Sequence, residues 1–345
     1  MAFSMFLTIM SRSVLIRVAQ MLLLVVVASC RPIATPAGGS VSGAADGSQG
    51  GPTQMRQLPL STAYGALIET SLAMGDLAQC DRNGEPLTGS KLVSTWAQAQ
   101  RASYQHIYML GDLVYPNGTA PNFARCFDPL WGWARAITDP VPGNHERLAP
   151  HPDAAPYFEY FGSRVGRPAQ PWYVLQRGSW RVFMLDSDIE GDLKAQQQAW
   201  LALELRKREN ATECIMAAWH HTPFATSMRR SDQARMRSEL ALLARHGADL
   251  VLAGHEHFYE RFQPVDDVLA FREQGTRVVL AGTGGAVTSN SIPLRESGAV
   301  LYRSAYGALM IRFFERGYQA EFIDVGNQVL DQFEAQCLPK GARSK

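Results

Sequence analysis

Metal-binding side chains recur in this 345-residue chain directly after apolar runs, and most follow a glycine. Ile107-Tyr108-Met109-Leu110 runs into Gly111-Asp112-Leu113-Val114-Tyr115, and Gly143-Asn144-His145-Glu146 closes the same stretch. Ser71-Leu72-Ala73-Met74 runs into Gly75-Asp76, residues 214–219 into His220-His221, and residues 250–253 into Gly254-His255-Glu256-His257. Short apolar runs of this kind read as buried strands. Their donors then emerge at C-terminal strand ends, where open α/β sheets build their sites. One Asp in such a place means little. Two Asp, an Asn, several His and a Tyr together describe two neighbouring ions. A mixed oxygen and nitrogen set without Cys suits Fe, Zn or Mn and not a thiolate zinc site.

The elements that must hold these donors follow from pattern. Residues 92–104 predict a helix between the first two strands. Residues 172–175 and 180–185 predict a hairpin around Arg177-Gly178. Residues 193–208 predict an amphipathic helix with Gln-rich and charged positions facing out. Residues 231–246 predict another, ended by Gly247 as a C-cap. Residues 277–281 run into Gly282-Thr283-Gly284-Gly285, and 308–325 supply two final strands around Arg316-Gly317. This mixture suggests an α/β protein of two packed sheets with helices outside.

The chain ahead of this domain differs in composition. Arg12 and Arg17 precede an apolar run at 21–27 and the small residues Ala28-Ser29, which reads as a signal peptide over 1–29. Met10 offers an alternative start. Val-Ala-Ser-Cys resembles a bacterial lipobox, making Cys30 the expected lipidated residue; an ordinary cleaved signal with an incidental Cys is the alternative. Residues 30–60 are rich in Gly, Ala, Ser and Pro and read as a flexible linker. The domain is expected over 61–337 and a tail over 338–345. Hydrophobic residues make up 46% of the chain, enough for a sizeable core, and a formal net charge of +1 gives no reason to propose a nucleic-acid partner. Beyond Cys30, the cysteines Cys80, Cys126, Cys214 and Cys337 allow three pairings. A Cys80–Cys126 bridge would pin two site loops together, and Cys214–Cys337 is left by elimination; four buried thiols are the alternative.

The order GD…GDxxY…GNHE…HH…GHxH resembles the calcineurin-like metallophosphoesterase superfamily. The Tyr of GDLVY and Tyr259-Glu260-Arg261 resemble its purple acid phosphatase branch. The resemblance runs from about Met74 to near Phe322 and implies a single catalytic domain, a calcineurin-like four-layer α/β/β/α sandwich. It also implies that Asp112 bridges two ions, with Asp76, Tyr115 and His257 completing one position and Asn144, His220 and His255 the other. Many members carry D-x-H in the first segment, where this chain has Asp76-Leu77-Ala78; Tyr115 stands where the Tyr-using branch supplies a phenolate. That substitution implies Fe at the Tyr115 position, with Fe, Zn or Mn at the other.

Trp219-His220-His221-Thr222-Pro223 is similar to the family's H-H-P-P form, which selects His220; matching only the nearest His-x-Pro selects His221. With His220 as ligand, His221 becomes a neighbour of the ligands or of the substrate. His145 is expected to protonate the leaving alkoxide, a purely structural imidazole being the alternative. The implied activity is phosphoester hydrolysis by a metal-bridged hydroxide attacking phosphorus in line, on a small-molecule substrate. The implied location is the bacterial cell envelope, anchored to the membrane through Cys30. A non-catalytic, metal- or partner-binding surface lipoprotein of the same fold is the competing reading.

Overall fold

Side-chain parity along the strands sorts this fold into layers. The computed structural model describes residues 59–207, 214–226, 232–288 and 298–339. The leader-like segment 1–29, Cys30, the linker up to residue 58 and tail residues 340–345 lie outside them. The strands, in chain order, are β1 (Leu67–Met74), β2 (His106–Leu110), β3 (Thr138–Val141), β4 (Tyr173–Arg177), β5 (Trp180–Met184), β6 (Cys214–His221) and β7 (Leu250–Gly254). After them come β8 (Tyr259–Phe262), β9 (Arg277–Ala281), β10 (Ala299–Arg303), β11 (Gly307–Phe314), β12 (Gly317–Asp324) and β13 (Val329–Gln336). The main helices are α1 (Thr88–Ala99), α2 (Ala155–Phe161), α3 (Gly191–Arg206) and α4 (Arg237–Arg245).

One six-stranded sheet has the order β13-β12-β11-β1-β2-β3 and a seven-stranded sheet the order β10-β8-β9-β7-β6-β5-β4. Each contains a parallel run: β1-β2-β3 reaches one edge of the first sheet, and β5-β6-β7-β9 lies inside the second, with antiparallel strands on either side. Ala73, Tyr108 and Leu110 of the first sheet share an apolar cluster with Val182, Met216, Leu252 and Val279 of the second. Their sequence neighbours point the other way. Leu72, Met74, Ile107 and Met109 pack with Val93, Trp96 and Ala97 of α1. On the far side, Phe183, Ile215, Ala217 and Val251 pack with Leu201 and Leu205 of α3 and with Leu240 and Leu243 of α4. The result is the four-layer α/β/β/α sandwich. No helix among the described residues is long and apolar enough to cross a membrane.

Several elements depart from the sequence pattern. Helix α1 begins a turn earlier than predicted and gives way to a 3₁₀ turn at Arg101–Ser103. Its first turn lies against the loop after β9: a Cβ on Gly89 would sit 2.4 Å from the Gly285 carbonyl oxygen. That contact is invisible to periodicity. The strands around Arg316-Gly317 are not the last, because β13 pairs antiparallel with β12 at the sheet edge. Its exposed polar positions give it a weak apolar signal. Helix α3 does not turn all its glutamines outward. Gln197 is fully buried; its Oε1 accepts the Asp186 N–H at 2.8 Å and its Nε2 donates to the Asp186 carbonyl at 2.9 Å. A side-chain amide satisfied at both ends is buried without the penalty of an unpaired polar group.

The favoured Cys80–Cys126 bridge is present, as is the Cys214–Cys337 pair left by elimination, and the reading of four buried thiols falls. The second joins the start of β6 to the residue after β13 across a separation of 123 residues, which ties the two sheets together. Chain-entropy arguments put such a cross-link at about 5 kcal/mol before any native strain.

Candidate metal centre

The parallel strands of both sheets end at one place, and the chain turns sharply there. Asp76, Asp112 and His255 follow β1, β2 and β7 and take positive φ angles of 61°, 51° and 77°. Backbone in this region costs about 1–3 kcal/mol per residue away from glycine and clusters at functional sites. Neighbouring glycines permit the crowding that results. A Cβ on Gly143 would lie 2.2 Å from Asp112 Oδ1, and one on Gly111 would lie 2.6 Å from His220 Nδ1.

Each aspartate spends one oxygen on the backbone. Asp76 Oδ2 accepts the His255 N–H and Asp112 Oδ1 the His145 N–H, both at 2.9 Å. Their other oxygens face two groups of donors. The Tyr115 hydroxyl lies 2.9 Å from Asp76 Oδ1, 3.1 Å from Asp112 Oδ2 and 3.0 Å from His257 Nε2. His220 Nε2 lies 3.3 Å from the same Asp112 Oδ2 and 3.1 Å from Asn144 Oδ1. His255 Nδ1 is 3.1 Å from Asn144 Oδ1 and 3.2 Å from His220 Nε2. Two quartets of donor atoms therefore meet at Asp112 Oδ2.

These spacings suit metal ions. Bonds of about 2.0–2.2 Å in tetrahedral or octahedral geometry place neighbouring donors about 2.8–3.6 Å apart. The imidazole tautomers agree. The nitrogens turned away from the centre, His220 Nδ1 and His257 Nδ1, meet the carbonyls of Leu110 at 2.8 Å and Val287 at 2.7 Å. As N–H donors there, they leave the Nε2 lone pairs facing the quartets, the usual second contact of a ligating His.

Electrostatics points the same way. Burial pushes Asp112 up, but His220 and His145 outweigh it and hold the carboxyl below its usual range. Asp76 is likewise lowered, burial being outweighed by His257 and His220. Burial lowers His220, yet Asp112 and Asp76 drive it up to about 10. The buried carboxylates thus demand positive charge, which protons supply when no cation does. Burial, Asp112 and Asp76 raise the Tyr115 phenol well above its ordinary value, so a phenolate there requires a cation beside it.

His145 and His221 lie beside the quartets but not in them. The His145 Nδ1 meets the Pro116 carbonyl at 2.6 Å, and its Nε2 stands 3.8 Å from Asp112 Oδ2. Its side chain is 27% exposed, and that of His257 22%, whereas Asp76 and His220 are fully buried, so these two imidazoles mark the mouth. His221 is buried, with Nδ1 3.0 Å from the Ser187 hydroxyl and its ring centroid 4.3 Å from that of His255. Burial first, then His220 and His255, push its pKa far down, so it stays neutral.

Two further residues support the loops and were not singled out in the sequence. Glu146, fully buried, accepts the N–H groups of Leu113 and Gly143 at 2.8 Å each, joining the loops after β2 and β3. Ser187 accepts the His221 N–H at 2.9 Å. Glu146 closes the GNHE segment, whereas Ser187 has no sequence signal.

The chain belongs to the calcineurin-like phosphoesterase family, whose model matches residues 75–259. It is similar to purple acid phosphatases. Purple acid phosphatase 21 of Arabidopsis thaliana is 28% identical over 63% of this chain and 50% of its own length. Purple acid phosphatase 15 of the same plant is 28% identical over 45% of this chain and 35% of its own length. The chain thus spans half or less of these relatives. Among solved structures, purple acid phosphatase PPD1 from yellow lupin seeds (Lupinus luteus) superposes with a TM-score of 0.67 at 17% identity. It covers 79% of this chain and 54% of the lupin chain, a likeness of fold.

The two adjacent histidines yield a direct test. His220→Ala is expected to lose the ion of the Asn144 quartet, and His221→Ala to retain full metal content, by elemental analysis of the purified variants. The reverse outcome would assign the ligand role to His221.

Proposed function

We propose that this chain is an exported phosphoester hydrolase with a dinuclear metal centre, acting as a phosphatase of purple acid phosphatase type. The observation that carries this reading is the pair of donor quartets sharing Asp112 Oδ2, with the His145 imidazole held beside them at the mouth. Asp76, Asp112, Tyr115 and His257 would hold one ion; Asp112, Asn144, His220 and His255 would hold the other. Two bound ions polarise phosphoryl oxygens and bring the pKa of a coordinated water near neutrality.

The chain's own residues do the rest. Asp112 carries the charge shared by both positions. Asn144 contributes a neutral carbonyl, which keeps its position less anionic than the Tyr115 one. His145 is oriented through the Nδ1 contact to the Pro116 carbonyl. That leaves Nε2 to carry the proton given to a leaving alkoxide. Its partial exposure lets it meet a substrate arriving from solvent, which we take to be a small-molecule phosphoester. The two disulfides fit an oxidising compartment, and we place the protein in the bacterial cell envelope with Cys30 as its lipid anchor.

Hydrolysis of a chromogenic phosphomonoester should be measurable and should vanish on chelation; no turnover by metal-replete protein would leave only a binding role. His145→Ala should keep both metals while kcat falls on the order of 10²–10⁴-fold. An unchanged kcat would make His145 structural.

Asp76, Asp112 and Tyr115 bring three potential anions to one position, a set that offsets a trivalent ion better than a divalent one. Iron-loaded protein should therefore absorb visible light through its phenolate, and Tyr115→Phe should abolish that band; a retained band would remove Tyr115 from the ligands. Fractionation should find the wild type with membranes and Cys30→Ala released; a soluble wild type would end the anchor reading.

A further inference from the structure

We infer, resting on the dinuclear reading above, that Arg147, Asp186 and Gln197 form a tether that holds the Asn144 loop against the second sheet and so positions the Asn144 half of the metal centre. The donors of that half come from both sheets. Asn144 lies in the loop after β3, whereas His220 ends β6 and His255 follows β7. The distance between Asn144 and the two imidazoles therefore depends on how the β3 loop is held against the second sheet.

Arg147 spans that gap. It lies at the end of the 3₁₀ turn His145–Arg147, and its side chain is 8% exposed. Its Nε donates to Asp186 Oδ2 at 3.1 Å, its Nη2 donates to the same oxygen, and its Nη1 donates to the Pro152 carbonyl at 2.9 Å. Asp186 is fully buried and follows β5 in the second sheet. Its Oδ1 accepts the Asp188 N–H at 2.8 Å, and Gln197 of α3 clamps its backbone N–H and carbonyl. A buried carboxylate fixed in this way is a rigid anchor. The next residue, Ser187, holds His221, whose ring lies against His255. One continuous set of contacts thus runs from the Asn144 loop through Arg147 and Asp186 to the two ligands of the second sheet.

Arginine suits this geometry. Its planar fork reaches two acceptors on different segments at once, and a lysine has a single nitrogen to offer. Partners that orient ligands from outside typically change metal affinity about 10–100-fold when removed. Arg147, Asp186 and Gln197 touch none of the donor atoms, so they are positioning residues.

The test compares wild type with Arg147→Gln, each loaded with metal, purified and challenged with chelator while the release of each ion is followed. The wild type should hold two ions. Arg147→Gln should release the Asn144-position ion about 10–100-fold faster or lack it, and should keep the Tyr115-position ion with its visible band when iron-loaded. Release of both ions together would signal general loosening and overturn the tether, as would two ions released at wild-type rates. A wild type with fewer than two ions would instead overturn the dinuclear reading. If circular dichroism shows Arg147→Gln unfolded, Arg147→Lys carries the test. Selective loss of one ion in that variant supports the tether, and retention of both at wild-type rates overturns it.

Discussion

Asp112 is a charged group buried where water cannot solvate it, and much of the surrounding structure answers that fact. One oxygen is satisfied by the His145 amide and the other faces Tyr115 and His220. An isolated carboxylate in such a place would be neutralised by a proton. Here the imidazoles hold it ionised in the absence of metal. The left-handed backbone at Asp76, Asp112 and His255 is unfavourable in isolation. It persists because the strand before each residue is locked between two apolar layers, so the large, diffuse stability of the core sustains a small, concentrated strain at its rim.

What could be read from the chain beforehand follows from this architecture. Central parallel strands are buried on both faces and appear as unbroken apolar runs, so the donors that end them stand out. His220 Nε2 lies among the quartet donors, whereas His221 Nδ1 lies against Ser187. Met216, Ala218 and His220 face between the sheets, while Ala217 and Trp219 face α3 and α4. Edge strand β13 lacked that contrast. Gln197 was misplaced because an amide reads as polar whether it meets water or a buried backbone. The pairing of Arg147 with Asp186 joins residues 39 apart through space, which no local pattern encodes.

The comparison with purple acid phosphatases has a definite scope. The family match over 75–259 takes in all seven residues of the two quartets. His257, near its end, is followed by β8, which places Tyr259 and Arg261 against Asp331 of β13. The family-matched segment is therefore braced by β13, which lies outside it.

That dependence has a consequence for the order of assembly. Strand β1, which delivers Asp76, pairs on one side with β2 but on the other with β11, Leu67 lying opposite Phe314. Closing that pairing brings together chain segments separated by nearly the whole domain, an entropically slow event typical of non-local topologies. Until β11 pairs with it, the strand leading to Asp76 has a bare edge. The strand that leads to the first aspartate of the centre thus depends on a partner from near the other end of the domain.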